Sequence, residues 1–236
     1  MRRLVLGDIH GAAKALEQVL VRCKYDPTED RIIFLGDVCD GWSESPEAMD
    51  ILMGMPKDNL IWLKGNHDEW TLTWLAADWA QHIWITQGGK ATRDAFLRRR
   101  IVTPKTRHPY LQALRNAKWF HIEDDMGFVH GGFGWRNIHP TELGERSLEN
   151  LCLWDRTMLM QAKEEDLPFE PLTEVFVGHT ATTMWDSVEP AKFSNVWAMD
   201  TGAGWTGKLT IMDVDTKEYW QSDLVSELYP DEVGRR

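Results

Sequence analysis

Short apolar runs that end in glycine-flanked polar residues recur along this chain, and they constrain its fold more than any other feature. The first run, Leu4-Val5-Leu6, leads into Gly7-Asp8-Ile9-His10-Gly11. Residues two apart in an extended segment face the same side, so the Asp8 carboxylate and the His10 imidazole can converge on one point. Ligands of these two types suit a divalent transition metal. A single such triplet is common by chance, and its recurrence gives it weight.

Four later segments repeat the arrangement of an apolar run followed by polar ligand types. They are Gly36-Asp37-Val38-Cys39-Asp40-Gly41, Gly65-Asn66-His67-Asp68, His130-Gly131-Gly132 and Gly178-His179-Thr180. Helical patterns separate the first three units, and one of them begins at Ser45-Pro46. Alternating β and α segments favour a largely parallel sheet, in which ligands gather at the carboxyl ends of the strands. The polar side chains of these loops are therefore predicted to meet.

Length and composition indicate one soluble globular domain. The 236 residues suit a single domain over 1–222, with a helical insertion at about 69–117. The charged tail, 223–236, is expected to fray at its end. No run is long enough to span a bilayer, and the cysteines follow no metal-binding or disulfide spacing. These features predict a cytoplasmic protein without a membrane partner.

The charge balance argues against nucleic acid as a partner. A net charge of -11 is the opposite of what a protein that grips polyanions by its surface usually carries. The run Arg98-Arg99-Arg100 is most simply a solvated helix face, and the alternative is a cap that steers anionic substrates. The 13 tryptophans are attributed mainly to packing, although some can line a substrate groove.

The strand-end residues include enough ligands for two metal ions. The candidates are Asp8, His10, Asp37, Asn66, His130 and His179. Asp37 is the natural bridge, because its two carboxylate oxygens can serve both ions. Two such ions can hold an activated water and clamp an in-line displacement at phosphorus.

Three further residues complete a predicted catalytic set. His67 follows the candidate ligand Asn66 and can protonate a leaving group, while Asp40 can orient that imidazole. Arg156 is the candidate fork for the non-bridging phosphate oxygens.

In their order along the chain, these motifs resemble the calcineurin-like metallophosphoesterases, and within them the phosphoprotein phosphatase branch of bacterial-type serine/threonine phosphatases. The resemblance covers residues 1 to about 221. It implies an α/β fold, a four-layer αββα sandwich of two mixed β-sheets flanked by helices. It also implies that Asp8, His10 and Asp37 hold one metal ion. The second ion would share Asp37 and add Asn66, His130 and His179. Manganese is expected, with iron or zinc as alternatives, and His67 with Asp40 matches the acid dyad of the family.

One position departs from the family pattern. Gly41, followed by Trp42, stands where the second motif usually has an arginine that contacts phosphate. Either Arg156 serves alone, or another arginine such as Arg136 or one of Arg98–Arg100 reaches the site. A related branch cleaves dinucleoside tetraphosphates symmetrically and usually lacks the acid that Asp40 supplies here.

Three functions follow from these features. The first is a metal-dependent phosphomonoesterase acting on phosphopeptides or small phosphate esters. The second is a hydrolase of dinucleoside polyphosphates or other nucleotides. The third is a non-catalytic phosphate-binding module, favoured only by the missing arginine. The oligomeric state is not predicted.

Overall fold

The computed structural model describes residues 1–134 and 145–235. The candidate Arg136 thus lies outside the described residues. The strands are β1 Arg2–Leu6, β2 Asp30–Phe34, β3 Leu60–Trp62, β4 Phe120–Glu123, β5 Met126–Val129, β6 Glu174–Val177, β7 Ala191–Phe193, β8 Val196–Ala198, β9 Thr210–Asp213 and β10 Tyr219–Gln221.

Helices follow most of the parallel strands. They are α1 Ala13–Arg22, α2 Ser45–Met53, α3 Asn66–Ala77, α4 His82–Trp84, α5 Lys90–Arg98, α6 Pro104–Asn116, α7 Glu145–Trp154, α8 Thr157–Glu165 and α9 Val225–Leu228. A π-helical turn over Ile85–Gly89 joins α4 to α5. No helix of the described residues is long and apolar enough to cross a bilayer.

The strands form two mixed five-stranded sheets. Their orders are β10-β9-β1-β2-β3 and β4-β5-β6-β8-β7. Three neighbouring strands of each sheet run parallel: β1-β2-β3 at one end of the first sheet and β5-β6-β8 in the centre of the second. The remaining strands pair antiparallel. The largely parallel sheet predicted from β/α alternation is therefore correct for these strands and wrong for β9 and β10 of the first sheet and for β4 and β7 of the second.

Side-chain alternation explains why the two sheets pack face to face. In β1, Val5 points into the layer between the sheets, while Leu4 and Leu6 join the outer core beneath the helices. The inter-sheet layer also contains Phe128 and Phe176, whose stacked rings have centroids 5.1 Å apart. Strands covered on both faces read as continuous apolar runs, as these do. The fold is the four-layer αββα sandwich that the resemblance implied.

The helices between β3 and β4 form an aromatic packing unit on the first sheet. Trp74 lies 5.3 Å from Trp84 and 5.5 Å from Phe96 between ring centroids. All three side chains are buried. The segment predicted as a helical insertion is thus helical, and much of its tryptophan content serves packing.

The segment after β10 is packed rather than frayed over its described part. Tyr229 is 2% exposed, and its ring stacks on Trp42 with centroids 5.2 Å apart. The backbone nitrogen of Lys14 donates to the Tyr229 hydroxyl at 3.1 Å. Tyr229 therefore anchors the described part of this segment, whereas the sequence predicted only that the end of the tail frays.

Candidate metal centre

Loops from both sheets meet at one edge of the sandwich. Asp8 and His10 follow β1, Asp37 and Asp40 follow β2, and Asn66 begins α3 after β3. The second sheet adds His130 after β5 and His179 after β6. All these residues are buried, since none is more than 7% exposed. The structure therefore brings together every strand-end residue that the sequence singled out.

Four of these residues adopt a left-handed backbone conformation. The φ angles are 51° at His10, 58° at Asp37, 72° at Asp40 and 62° at His179. Non-glycine residues rarely adopt such angles, and they concentrate at functional sites where the surroundings hold them. The sharp turns aim these side chains at a common centre.

Neighbouring glycines make room for the carboxylates. A Cβ atom at Gly65 would lie 2.0 Å from Asp37 Oδ1, and one at Gly178 would lie 2.2 Å from Asp8 Oδ1. Both distances are far below van der Waals contact. The glycines that flank the sequence motifs are thus required by the close approach of backbone to carboxylate.

Two groups of ligand atoms overlap at Asp37. Asp8, His10 and Asp37 form one group, and Asp37, His130 and His179 form the other, with ligand atoms in each group within 4.8 Å of one another. Asn66 adjoins the second group, because its Oδ1 lies 3.0 Å from His130 Nε2. The two groups therefore share the Asp37 carboxylate.

The histidine tautomers suit cation binding. His10 Nδ1 lies 2.8 Å from the Asp40 carbonyl oxygen, and His130 Nδ1 lies 3.0 Å from the Leu35 carbonyl oxygen. A carbonyl only accepts, so each Nδ1 carries the proton. The Nε2 atoms then face Asp37 Oδ2 at 3.7 Å from His10 and 3.3 Å from His130. Metal-binding histidines are typically oriented through the other ring nitrogen in this way.

Several buried polar atoms here have no hydrogen-bond partner among the described residues. They include Asp8 Oδ1, His179 Nε2 and Asp200 Oδ2. Burying an unpaired polar atom costs free energy, and a cation would satisfy lone pairs of this kind. The donor set of carboxylates, imidazoles and an amide oxygen fits divalent transition metals.

The pKa values of the cluster reflect carboxylates crowded away from water. Burial, followed by the charge of Asp200, raises the pKa of Asp8 well above its usual range. Burial alone would lower the pKa of His130, but Asp37 and Asp8 outweigh it and raise that pKa to about 9. The proton that His130 holds beside Asp37 and Asp8 offsets their negative charge, and a metal cation can offset that charge in the same way.

His67 and Asp40 form a buried pair beside this cluster. His67 Nδ1 lies 2.8 Å from Asp40 Oδ2, and the Trp84 indole nitrogen donates to the same oxygen at 2.7 Å. Burial raises the pKa of Asp40 to about 8 and lowers the pKa of His67 to about 3. Near neutral pH the pair is therefore uncharged and retains one transferable proton on Asp40.

Arg156 adjoins the second ligand group. Its Nη1 donates to the His179 carbonyl oxygen at 3.0 Å and to Thr180 Oγ1 at 2.8 Å. The three other candidate arginines that the structure describes, Arg98–Arg100, do not reach the site. Arg98 donates to the Ser43 carbonyl oxygen at 2.5 Å, Arg99 pairs with Asp50 at 2.6 Å, and Arg100 is exposed.

A cavity of about 830 Å³ opens over the cluster. Its polar floor includes Asn66, His67, His179 and Arg156. Its walls are largely apolar and aromatic and include Trp70, Trp154, Trp205, Ile83 and Met184. Trp154 is 40% exposed and Met184 is 65% exposed, so the walls reach the cavity mouth. Some tryptophans thus line a groove, as the sequence left open.

Sequence reasoning missed four residues at the site. Asp68 accepts hydrogen bonds from the backbone nitrogens of Asp37 and Val38, each at 2.9 Å, and so shapes the central loop. Trp84 contacts Asp40 from a distant helix. Asp200 is buried beside Asp8, and Arg235 lies 3.3 Å from His10 Nε2. Only Asp68 and Asp200 carry a sequence signal, because both stand in or next to a strand-end motif.

Comparison with known proteins agrees with this geometry. Residues 1–205 match the model of the calcineurin-like phosphoesterase family. The symmetrical bis(5'-nucleosyl)-tetraphosphatase of Pseudomonas fluorescens is 25% identical, with 97% of this chain and 96% of that protein covered. Serine/threonine-protein phosphatase 1 of Salmonella typhimurium is 23% identical, with 88% and 89% covered.

A solved structure shares the fold. A protein serine/threonine phosphatase from Saccharomyces cerevisiae superposes with a TM-score of 0.59 at 14% identity, covering 95% of this chain and 79% of that one. Members of the matched family are hydrolases that use a binuclear centre of divalent metals. The family match, which spans most of the chain and includes the strand ends described above, shows that this protein belongs to the calcineurin-like phosphoesterases.

Proposed function

We propose that this protein is a metal-dependent phosphomonoesterase that acts on phosphoserine- or phosphothreonine-containing peptides and on small phosphate esters. Asp8, His10 and Asp37 hold one divalent ion, manganese in the first instance. Asp37, Asn66, His130 and His179 hold the second. When bound, the ions neutralise charge at phosphorus and lower the pKa of bound water.

The observation that supports a monoester substrate most is the buried pair of His67 and Asp40, at 2.8 Å. An alkoxide is a strongly basic leaving group, so its departure benefits from a proton donor. The proton on Asp40 can pass through the hydrogen bond to His67, which gives a carboxylate and an imidazolium without changing the proton count. The negative charge of a bound phosphate favours that form. His67 then gives its other ring proton to the leaving oxygen.

Arg156 binds the non-bridging oxygens of the phosphate. Its guanidinium is already held by the His179 carbonyl and Thr180 Oγ1, which fixes the remaining donors in direction. A planar fork of this kind is suited to a phosphate dianion. The aromatic walls of the cavity contact the group attached to the phosphate and exclude water from it.

Hydrolysis of dinucleoside tetraphosphates is a second candidate, and the cavity walls favour it. The rings of Trp70 and Trp154 meet edge to face with centroids 5.2 Å apart, and Trp205 lies on the same cavity. Such indoles can stack nucleobases. The nucleotide leaving group is a weaker base than an alkoxide, however, and has less need of His67 and Asp40.

A comparison of three substrates tests the proposal. Manganese-loaded protein is incubated with a phosphothreonine peptide, an aryl phosphate and a dinucleoside tetraphosphate, and kcat/KM is measured for each. The proposal expects the phosphopeptide and the aryl phosphate to exceed the tetraphosphate. The opposite order would replace it with the second candidate, and no turnover of any substrate would contradict both.

Trp154→Ala sharpens this comparison. If bases stack on the indole, this variant raises KM for the tetraphosphate by about tenfold, following alanine substitutions at stacked bases, and raises KM for the smaller aryl phosphate much less. Trp185→Ala is the matched control, since Trp185 packs on Phe193 away from the cavity.

A further inference from the structure

Arg235 enters the cavity from the segment after α9. Its Nη1 lies 3.3 Å from His10 Nε2, and its Nη2 lies 3.4 Å from Gln87 Oε1. The guanidinium carbon lies 4.3 Å from the ring centroid of Trp205. Arg235 lines the same cavity as Arg156 and His67. A residue more than 200 positions away in sequence thus adjoins the first ligand group.

The charge of Arg235 has no anionic partner in the described part of the chain. The arginine ion pairs found there belong to Arg2, Arg3, Arg22, Arg31, Arg93, Arg99 and Arg107. Arg235 Nε is buried without a hydrogen-bond partner among these residues. Desolvating a cation without an anion is costly, so a partly buried guanidinium on a cavity wall favours an anionic ligand.

Three glycines make the space through which this side chain passes. A Cβ atom would lie 3.4 Å from Arg235 Cγ at Gly41, 3.2 Å from the same atom at Gly88, and 3.1 Å from Arg235 Cδ at Gly204. Gly41 and Gly88 also have positive φ angles, +136° and +107°. Larger residues at these positions would narrow the passage. Gly41 stands where the family usually has an arginine, and the Arg235 side chain occupies the space beside it.

The backbone around Arg235 is anchored on both sides. Its nitrogen donates to the Gly204 carbonyl oxygen at 2.8 Å, and Trp42 Nε1 donates to the Ala203 carbonyl oxygen at 2.7 Å. Gly234 packs against Trp42, and the preceding Tyr229 stacks on the same indole. These contacts hold the start of the side chain in a defined place, which reduces the entropy lost when it binds a ligand.

We propose that Arg235 binds the phosphoryl group of the substrate and, with Arg156, forms a two-arginine clamp across the site. Arg156 contacts His179 of the second ligand group, whereas Arg235 contacts His10 of the first. Each cation therefore adjoins one of the two ligand groups that share Asp37. The ligand is a tetrahedral phosphate dianion, which offers oxygens to both forks. This inference rests on the proposed function for the identity of the substrate, while the anion binding itself can be measured without turnover.

The contact between Arg235 and His10 also allows a second interpretation, which the experiment must distinguish from phosphate binding. His10 Nε2 is also a candidate ligand atom, so Arg235 and a cation cannot both use it. If Arg235 only blocks that atom, its removal strengthens metal binding and leaves phosphate binding unchanged. If Arg235 binds phosphate, its removal weakens phosphate binding at equal metal content.

Isothermal titration of orthophosphate into manganese-loaded protein tests the proposal, with a separate manganese titration of each variant. Arg235→Gln is expected to weaken orthophosphate binding at least tenfold with an unchanged manganese stoichiometry. Arg235→Lys is expected to weaken it about threefold, because a point charge replaces a fork. Arg115→Gln, at an exposed position of α6, is the control for net charge and is expected to bind as wild type.

Three results would overturn the proposal. They are unchanged phosphate affinity in Arg235→Gln, tighter manganese binding with unchanged phosphate affinity, and an equal loss in Arg115→Gln. Near-UV circular dichroism checks whether Tyr229 still stacks on Trp42 in Arg235→Gln. If that stacking is lost, phosphate affinity is measured in Arg235→Lys instead, and an unchanged affinity in that variant also overturns the proposal. If phosphate binding depends on Arg235 but the protein hydrolyses no phosphate ester, the two-arginine clamp is supported and the proposed function is wrong.

Discussion

His67 Nδ1 and Asp40 Oδ2 lie 2.8 Å apart, and both side chains are at most 1% exposed. The two residues come from different loops, one at the start of α3 and one after β2. Trp84 donates to the same carboxylate oxygen, so the pair is fixed from a third direction. A buried and oriented imidazole of this kind is suited to proton transfer.

His67→Asn should separate leaving groups by their basicity. We expect kcat for an alkyl phosphate to fall about 10²- to 10⁴-fold, the usual contribution of a general acid, and kcat for an activated aryl phosphate to fall much less. Asp40→Asn should show the same pattern in weaker form. Steady-state kinetics on both esters, with metal content checked by mass spectrometry, measures the effect. Equal slowing of the two esters would remove His67 from the acid role.

Asp37→Asn should disturb both metal positions, because Asp37 belongs to both ligand groups. We expect wild type to bind two manganese ions per chain, His10→Ala and His179→Ala to retain one each, and Asp37→Asn to retain less than one. Bound manganese should also stabilise the fold, by about 2.7 kcal/mol at a concentration of 100 times Kd. Inductively coupled plasma mass spectrometry and thermal melts measure these effects. His82→Ala, at an exposed position, is the control, and full metal content in Asp37→Asn would exclude a bridging role.

Arg156→Ala should mainly weaken phosphate binding. Loss of charge-assisted hydrogen bonds worth about 1.5–3 kcal/mol corresponds to a rise of roughly 10- to 100-fold in the inhibition constant of free phosphate. Thr180→Val should have a smaller effect in the same direction, since it removes one of the contacts that orient the guanidinium. An inhibition constant equal to that of wild type would place Arg156 outside the substrate site.

Much of the site could be predicted because its ligands follow strands. Apolar runs fixed where β1, β2, β5 and β6 end, and parallel pairing brings such ends to one edge. The positions of Asp8, Asp37, His130 and His179 followed from that rule and were brought together in the structure.

Contacts that depend on packing over long sequence separations could not be predicted. Arg235 reaches His10 only because Tyr229 stacks on Trp42 and because glycines leave space for its side chain. Neither relationship produces a periodic pattern that could be recognised in the sequence. The edge strand β7, Ala191–Phe193, was missed for a similar reason. Its three residues are too short for a pattern and become a strand through pairing with β8.

Glu123 provides a prediction about stability rather than catalysis. It lies on β4 of the second sheet, where its carboxylate pairs with Arg31 on β2 of the first sheet and accepts from His121 at 2.9 Å. Burial alone would raise the pKa of Glu123, but the hydrogen bonds from His121 and Arg31 outweigh it and lower that pKa from 4.5 to about 2. A carboxylate whose pKa is lowered by folding stabilises the fold above its unfolded-state pKa. The stabilisation is lost as pH falls from about 4.5 towards 2.

Glu123→Gln should therefore lower the free energy of unfolding by about 1–2 kcal/mol at pH 7, a value reduced for partial solvent screening. The difference from wild type should narrow as the pH is lowered below about 4.5, because the unfolded wild-type chain then takes up a proton that the folded protein does not bind until the pH approaches 2. Urea unfolding at several pH values between 3 and 7 measures this convergence. Glu164→Gln, at an exposed position of α8, is the matched control and should show no such trend. A difference that stays constant with pH would mean that Glu123 acts through packing and not through its charge, and would contradict an ion pair that joins the two sheets.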